Sequence, residues 1–238
     1  KEWKNSGSTD RDDFLMSIIP LGGVYVPKFY DVEYNDDNTI SRFEPNREGV
    51  PKQVRKRIIL NMDNTYVPKK LIVPFMETVH DRIMLELFRG CIRGCRFCQA
   101  GYIYRPVRER SVDKLVETAG ECIKNTGYEE MSMSSLSTSD YTDLDELTNK
   151  LLDITVDKRI NLSLPSLRVD NFSMELMKKV QKVKKSGLTF APEAGTQRLR
   201  DVINKNVLES DLIRTSNIAF RGGYNRIKLY FMLGLPTE

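Results

Sequence analysis

The residues best suited to chemistry in this sequence are three cysteines within a stretch of eight residues, Cys91, Cys95 and Cys98. Thiolates this close together suit a soft metal ion or an iron–sulfur cluster. A closed zinc site or an electron-transfer cluster takes four protein ligands, so three cysteines leave one iron of a [4Fe–4S] cluster without a protein ligand. A catalytic metal site keeps such an open position for its chemistry. The CxxxCxxC spacing therefore indicates a reactive cluster.

Two other interpretations of the cysteines stay open. Zinc could recruit His80 or Cys122, but six or seven extended residues place His80 about 20 Å from the loop. Cys122 lies on the apolar face of a predicted helix, which is typical of a packed core thiol. Three structural cysteines could also cluster by chance. The flanking arginines, Arg89, Arg93 and Arg96, argue against chance, because they would offset the negative charge of a thiolate-bound cluster.

The elements that must position this loop alternate between strand and helix from about residue 81. An apolar strand over 82–88 leads directly into the cysteines. The later strands are predicted over 131–136, 160–164, 188–191 and 226–233. The intervening helices are predicted over 112–125, 143–157 and 173–185, and more than one helix is predicted across 195–221. This alternation predicts βαβ units, a parallel sheet and right-handed crossovers.

Residues 1–80 predict a different organisation. Thr9 and Asp10 could cap a short helix that ends near Ile19, and the polar cluster Asn35–Asn38 favours a hairpin. Scattered prolines then indicate irregular chain. We expect residues 1–80 to be a connector or extension and residues 81–238 to be the core domain. Because a loop follows directly after the fifth strand, we expect the sequence to be an excerpt of a longer protein.

The composition excludes several classes of protein. Hydrophobic residues at 40% and charged residues at 29% are typical of a soluble globular protein. No apolar run approaches the roughly 18 residues of a membrane span, so no membrane partner is expected. Clustered cysteines cannot staple distant segments as in a secreted disulfide scaffold, which indicates a reducing compartment and a cytoplasmic location. The net charge of +4 does not by itself select a nucleic-acid partner.

The cysteine loop resembles a known family signature. Its pattern is similar to the CxxxCxΦC motif of the radical S-adenosylmethionine (SAM) superfamily, with Phe97 as the aromatic residue before the third cysteine. The surrounding sequence resembles the cobalamin-binding-domain subgroup, which is related to methylthiotransferase-like enzymes. Three later segments resemble the third, fourth and fifth strand-end motifs of that family, namely SLPSLR at 163–168, APEAGT at 191–196 and MLGLPTE at 232–238. The resemblance spans about residues 81–238.

The resemblance implies a fold and an activity. The fold would be α/β, a partial (βα)6 TIM-like barrel with five strands present and a mixed, partly β N-terminal extension. The enzyme would bind a [4Fe–4S] cluster and SAM, and would cleave SAM reductively to a 5′-deoxyadenosyl radical that abstracts hydrogen from a substrate. Related subgroups carry out methyl transfer or sulfur insertion. A non-catalytic zinc-binding or iron–sulfur electron-transfer module is the alternative.

The resemblance also implies where the cofactors bind. Cys91, Cys95 and Cys98 would be the cluster ligands, and Phe97 would lie near the adenine of SAM. Gly234, in the fifth strand-end motif, would also pack near the adenine, although a glycine in a loop needs no ligand to explain it.

Four further residues are expected to contact SAM. Ser137 and Thr138 end the second strand, where many members carry a glycine-rich GGE-type stretch that contacts the SAM amino group. Arg168 could pair with the SAM carboxylate, or could form an ordinary surface salt bridge. Glu193 matches a position that often hydrogen-bonds the ribose, or could serve a helix N-terminus.

The expected partners follow from the same resemblance. An electron donor such as flavodoxin or ferredoxin would supply the reducing equivalent, and cobalamin would bind through a domain outside this sequence. The substrate could be RNA, protein or a small molecule. Arg105, Arg108 and Arg110 follow the cysteine loop and suit either an anionic substrate or the balancing of cluster charge.

Overall fold

A computed structural model describes residues 2–170, 174–180 and 187–238 of the chain. The chain divides into two compact units, Lys1–Ile59 and Leu60–Glu238, and every residue predicted for the site belongs to the second. The boundary predicted between residues 80 and 81 stays a prediction. Within the described ranges, no helix combines the length and the apolar character that crossing a bilayer requires.

Two short helices and a hairpin make up the first unit. Helix α1 spans Glu2–Asn5. Helix α2 spans Arg11–Ile18, and its predicted cap Asp10 accepts a hydrogen bond from the backbone N–H two residues later at 2.8 Å. The predicted hairpin consists of two antiparallel strands, β1 (Tyr30–Tyr34) and β2 (Ile40–Pro45). Both expectations for this region are confirmed.

Strands and helices alternate through the second unit, as predicted. The strands are β3 (Ile83–Glu86), β4 (Phe88–Arg89), β5 (Arg108–Glu109), β6 (Glu130–Ser134), β7 (Asn161–Ser163), β8 (Leu188–Glu193) and β9 (Ile227–Phe231). The helices are α3 (Ala100–Ile103), α4 (Val112–Thr126), α5 (Leu144–Thr155), α6 (Met174–Val180), α7 (Gln197–Val202) and α8 (Glu209–Arg221). The helix predicted over 173–185 is present as α6, while residues 173 and 181–185 of that prediction lie outside the described residues.

Parallel pairing organises the main strands of this unit. Strands β3, β6 and β7 pair in that order, with Met131 opposite both Ile83 and Leu162. Strands β8 and β9 form a second parallel ladder. Parallel strands joined by helices confirm the α/β class and agree with a partial barrel. Their carboxyl ends are where such folds place their ligands.

Helix α4 shows how the sequence produces the packing. Its apolar residues recur at helical spacing, so Leu115, Ala119 and Cys122 are buried in the same core cluster as the strands β3 and β6. Ser111 caps the helix by accepting from the backbone N–H of Lys114, and Gly127 ends it in the left-handed conformation. Each fully buried leucine contributes roughly 2 kcal/mol.

One predicted strand is wrong in its extent. The apolar run at 82–88 is not a single strand, because β3 ends at Glu86 and the chain changes its pairing partner. Phe88 and Arg89 pair antiparallel with Arg108 and Glu109. The short ladder β4–β5 thereby closes the base of the cysteine loop, which periodicity along one segment could not reveal.

Candidate functional site

One cavity gathers most of the predicted site residues. It encloses about 290 Å³ and lies beyond the carboxyl ends of the parallel strands. Seven of the nine predicted residues line it, namely Cys91, Cys95, Cys98, Phe97, Ser137, Arg168 and Glu193. These residues are spread over more than a hundred positions of the sequence, and the fold brings them together at one cavity.

The other two predicted residues do not line this cavity. Thr138 is fully buried, and its hydroxyl lies 3.0 Å from the hydroxyl of Ser135. Gly234 follows β9 with a φ of +74°, a left-handed conformation that suits glycine. A Cβ at Gly234 would meet nothing within 4 Å, so the described residues do not crowd this position.

The thiols of the cysteine loop are free rather than joined in disulfides. Cys95 is buried, whereas Cys91 and Cys98 are partly exposed at the wall of the cavity. The backbone N–H of Arg93 points at the Cys91 sulfur, with an N–S distance of 3.4 Å. Hydrogen bonds of this kind are among those that tune sulfur ligands of iron–sulfur clusters.

The cysteines supply the kind of ligand that a [4Fe–4S] cluster takes. Across the described part of the chain, no three Cys, His, Asp or Glu side chains converge closely enough to surround one metal ion. A [4Fe–4S] cluster has a different requirement, because each thiolate binds a separate iron. Three soft thiols on one loop at a cavity wall match that requirement.

Neither candidate for a fourth zinc ligand lies at the cavity. Cys122 is in the core of the unit, where burial raises the pKa of its thiol, and its sulfur lies 3.7 Å from the Pro68 carbonyl oxygen. The prediction of a packed core thiol is confirmed. His80 is exposed and precedes β3, whereas the cysteines follow β4.

Arg105 holds the cysteine loop through its backbone. Its guanidinium donates to the carbonyl oxygens of Cys91, Ile92 and Arg93 at distances between 3.2 and 3.4 Å. Arg108 donates to the carbonyls of residues 104 and 106, and the buried Arg110 donates to that of Met62. All three arginines were considered in the sequence for an anionic substrate or for charge balance. Arg105 and Arg108 brace the backbone around the loop, whereas Arg110 bonds to a residue outside it.

Two glycines let the loop pack this closely. Gly90 has a φ of +103°, and a Cβ there would lie 2.7 Å from the Tyr104 carbonyl oxygen. A Cβ at Gly101 would lie 2.8 Å from the Arg93 carbonyl oxygen. Because both obstacles are backbone atoms, larger residues at these positions would displace the cysteines.

Arg93 links the cysteine loop to the segment after β6. Its guanidinium binds both carboxylate oxygens of Asp140, with an Nε–Oδ2 distance of 2.9 Å, and its Nη1 lies 3.6 Å from Asp170. Burial opposes ionisation of Asp140. The hydrogen bonds from Arg93 act together with the nearby Ser137 hydroxyl and the positive charges of Arg93 and Arg168, and jointly they hold the pKa of the carboxyl below its ordinary value of 3.8.

Replacing Asp140 with asparagine should destabilise the protein at neutral pH but much less in acid. Because the folded-state pKa is depressed, this ion pair stabilises the fold above the unfolded-state pKa and stops doing so as pH falls through the folded-state value. We expect Asp140→Asn to lower the free energy of unfolding by about 2 kcal/mol at neutral pH. Urea unfolding of both proteins at neutral pH and at about pH 3 tests this. An equal difference at both pH values would contradict the prediction.

Arg168 already faces a carboxylate. Its Nε and Nη2 donate to the two oxygens of Asp170 at 2.9 and 3.1 Å, and Nη2 also donates to the Lys205 carbonyl oxygen at 3.2 Å. The Arg168 side chain is only 10% exposed, so this is not a surface salt bridge. A ligand carboxylate would compete with Asp170 for the guanidinium.

Glu193 forms an ion pair with Lys205, which the sequence analysis did not predict. Its carboxylate accepts from the ammonium of Lys205 at 3.0 Å, and both side chains are largely buried. Lys205 also lies over the ring of Phe97, 5.8 Å from the centroid. Helix α7 begins at Gln197, four residues further on, so Glu193 does not cap it.

The backbone at Glu193 is held in an unusual conformation. Its φ is +67°, and the pairing of β8 with β9 shifts register between Phe190 and Glu193. Its carbonyl oxygen accepts from the Met232 N–H at 2.8 Å. Left-handed backbone at a residue other than glycine costs of order 1–3 kcal/mol and clusters at functional sites.

Ser137 presents a buried hydroxyl to the cavity. Its Oγ approaches Asp140 closely enough to help keep that carboxyl ionised. Among the described residues, however, no atom lies in hydrogen-bonding geometry to it. A ligand group placed in hydrogen-bonding geometry to this hydroxyl would give it a partner that the described residues do not supply.

Sequence reasoning missed Lys205 and its neighbour Asn204. The signal available was the polar triplet Asn204–Lys205–Asn206 between two helical patterns, in which asparagines tolerate left-handed backbone. Both asparagines do adopt positive φ, at +52° and +53°. The triplet lies within the region 195–221 that the sequence analysis predicted as helical, and nothing in it indicates that this segment would face the cavity.

Comparison with known proteins gives a consistent result. Residues 85–238 match the model of the radical SAM superfamily. The chain is 41% identical over 180 residues to the uncharacterised protein MJ0966 of Methanocaldococcus jannaschii, which covers 72% of this chain and 39% of that protein. It is 24% identical over 242 aligned positions to "Putative methylthiotransferase MJ0865" of the same organism, covering 95% of this chain and 52% of the relative.

A solved structure shares the fold. The radical SAM methyltransferase TsrM of Kitasatospora setae, solved with cobalamin and a [4Fe–4S] cluster bound, superposes with a TM-score of 0.51 at 14% identity. The match covers 66% of this chain and 32% of TsrM. At this identity the likeness concerns the fold alone. The chain spans about two fifths to one half of the length of the two curated relatives.

Proposed function

Because this chain belongs to the radical SAM superfamily, we propose that its cavity holds a [4Fe–4S] cluster and SAM and that the protein is a radical SAM enzyme. The observation that carries the proposal is the convergence of three cysteines and four predicted SAM contacts on one cavity. These residues come from four separate strand-end segments. A coincidental cluster of structural cysteines would not gather the other segments around it.

The three cysteines would hold the cluster and leave one iron open. The cofactors, when bound, supply reductive cleavage of a carbon–sulfur bond of SAM to give a 5′-deoxyadenosyl radical, which abstracts hydrogen from a substrate. The residues of the chain position the cysteine thiols. Arg105 and the glycines fix the backbone of the loop, so the thiols are presented from a defined surface of the cavity.

The cavity walls offer complementary groups for SAM. Glu193 would accept from the ribose hydroxyls, and the unsatisfied Ser137 hydroxyl would bond to a polar group of the amino acid part. Phe97 supplies an apolar face for the adenine. Arg168 would bind the SAM carboxylate in competition with Asp170, while Lys205 stays paired with Glu193.

We propose flavodoxin or ferredoxin as the class of electron donor, since one electron must enter for each cleavage. Methyl transfer and sulfur insertion are the two reactions proposed by likeness to TsrM and to the methylthiotransferase relative. Cobalamin would be held by a domain outside this sequence.

Product analysis tests the proposed function. The full-length protein, reconstituted anaerobically with iron and sulfide, should convert SAM to 5′-deoxyadenosine and methionine in the presence of dithionite. Liquid chromatography with mass spectrometry detects both products. A variant with Cys91, Cys95 and Cys98 all replaced by alanine is the matched control. Reconstituted protein that forms no more 5′-deoxyadenosine than this control would overturn the proposal.

A further inference from the structure

The turn between helices α7 and α8 touches both the cysteine loop and the cavity. This segment, residues 202–206, is called the α7–α8 turn below. The turn lies more than a hundred positions from the cysteines in sequence. Its side chains and backbone nevertheless bond directly to the cysteine loop.

Asn204 forms the central contact with the loop. Its side-chain amide donates to the Gly94 carbonyl oxygen, with an Nδ2–O distance of 2.8 Å. A Cβ at Gly94 would lie only 2.9 Å from the same nitrogen. The amide thus occupies the space that a side chain at Gly94 would need, next to the buried Cys95.

Arg96 adds two contacts on the other side of Cys95. Its backbone N–H donates to the Ile203 carbonyl oxygen at 2.9 Å. Its guanidinium donates to the Val202 carbonyl oxygen at 2.6 Å. Three hydrogen bonds therefore connect residues 94–96 to the α7–α8 turn and bracket the middle cysteine.

The next residue of the turn reaches the cavity. Lys205 pairs with Glu193 and lies over Phe97, while its carbonyl oxygen accepts from Arg168. The backbone that carries Asn204 therefore also carries the counter-charge of Glu193. A displacement of the turn would move both the cysteine loop and the cavity wall.

We propose that Asn204 is a positioning residue that fastens the cysteine loop to the α7–α8 turn and thereby keeps the loop in register with Glu193. This inference rests on the proposed function, because register matters only if the loop and Glu193 serve bound cofactors. The α7–α8 turn, which follows strand β8, would thus hold the cysteine loop, which follows strands β3 and β4.

The backbone of the turn provides a matched pair of variants. Asn204 and Asn206 share nearly the same positive φ, but the Asn206 side chain is exposed. Glycine adopts this conformation without strain, so Asn204→Gly removes the amide and leaves the backbone conformation accessible. Asn206→Gly makes the same backbone change without touching the loop. Asn204→Asp keeps the shape of the side chain but replaces the donor with an acceptor.

Hydrogen exchange of the cluster-free protein is the first measurement. We expect Asn204→Gly and Asn204→Asp to speed exchange of the amides in residues 92–98 by about tenfold, since each variant loses one hydrogen bond to the loop. Asn206→Gly should leave these rates unchanged. Unaltered exchange in both Asn204 variants would overturn the fastening contact.

The reconstituted protein gives a second measurement, with a spectroscopic signature. The SAM concentration that produces half of the change in the electron paramagnetic resonance (EPR) spectrum should rise about tenfold in the Asn204 variants, because the cysteine loop loses a hydrogen bond that holds it beside Glu193. Asn206→Gly should match the wild type. Equal SAM titrations in the wild type and both Asn204 variants would overturn the link to Glu193 while leaving the proposed function intact. A wild-type protein that assembles no cluster would instead refute the proposed function, and the exchange data would still decide the contact.

Discussion

Replacement of Cys95 with alanine is expected to leave a folded protein with almost no bound iron. Cys95 is the middle cysteine and the most buried of the three at the cavity. Loss of an outer-shell partner alone weakens metal binding by about 10–100-fold, so loss of a ligand should cost more than 100-fold. Iron and sulfide per chain, measured after anaerobic reconstitution and gel filtration, give the result directly.

Cys122→Ala is the matched control for this substitution. It removes a buried thiol of the same size from the same unit, but from the core beside Pro68 rather than from the cavity. We expect it to keep its iron and to lose about 1 kcal/mol of stability. If Cys95→Ala kept a full complement of iron, or if both variants lost it equally, the ligand assignment would be wrong.

Replacement of Glu193 with glutamine is expected to weaken SAM binding by about 10–100-fold. The carboxylate is largely buried, fixed by Lys205 and carried on strained backbone, so it is organised before any ligand arrives. A hydrogen bond to a charged group contributes about 1.5–3 kcal/mol, which corresponds to that range of affinity. Equilibrium dialysis of labelled SAM against the reconstituted protein measures the dissociation constant.

Two further variants make the Glu193 result interpretable. Glu209→Gln removes an exposed carboxylate at the start of helix α8 and should bind SAM like the wild type. Lys205→Met leaves the Glu193 carboxylate buried without its counter-charge, so it should unfold more readily, by about 2 kcal/mol. Unchanged SAM affinity in Glu193→Gln would remove Glu193 from the proposed site.

Much of the secondary structure was predictable because it depends on local sequence patterns. Strand and helix periods, the caps at Asp10 and Ser111 and the hairpin turn each depend on residues a few positions apart. The cysteine loop stood out for the same reason. Motifs at the carboxyl ends of parallel strands converge by the geometry of the fold, which is why most of the predicted residues meet at one cavity.

The contacts that hold the site in place were not predictable in this way. Asn204 bonds to Gly94 across 110 positions, and Lys205 pairs with Glu193 across 12. Neither contact follows a helical or strand period. The arginines after the loop illustrate the same limit, since their number was visible in the sequence but their backbone carbonyl partners were not. The division of the strand at 82–88 likewise depended on a partner segment at 108–109.

The most direct test of the central claim is the EPR spectrum of the reduced, anaerobically reconstituted full-length protein with and without SAM. We predict a signal of a reduced [4Fe–4S] cluster that changes when SAM is added, because three cysteine ligands would leave one iron open beside the cavity that the proposed SAM contacts line. A protein that binds no cluster, that carries stoichiometric zinc on its cysteines, or whose spectrum is indifferent to SAM would contradict the claim.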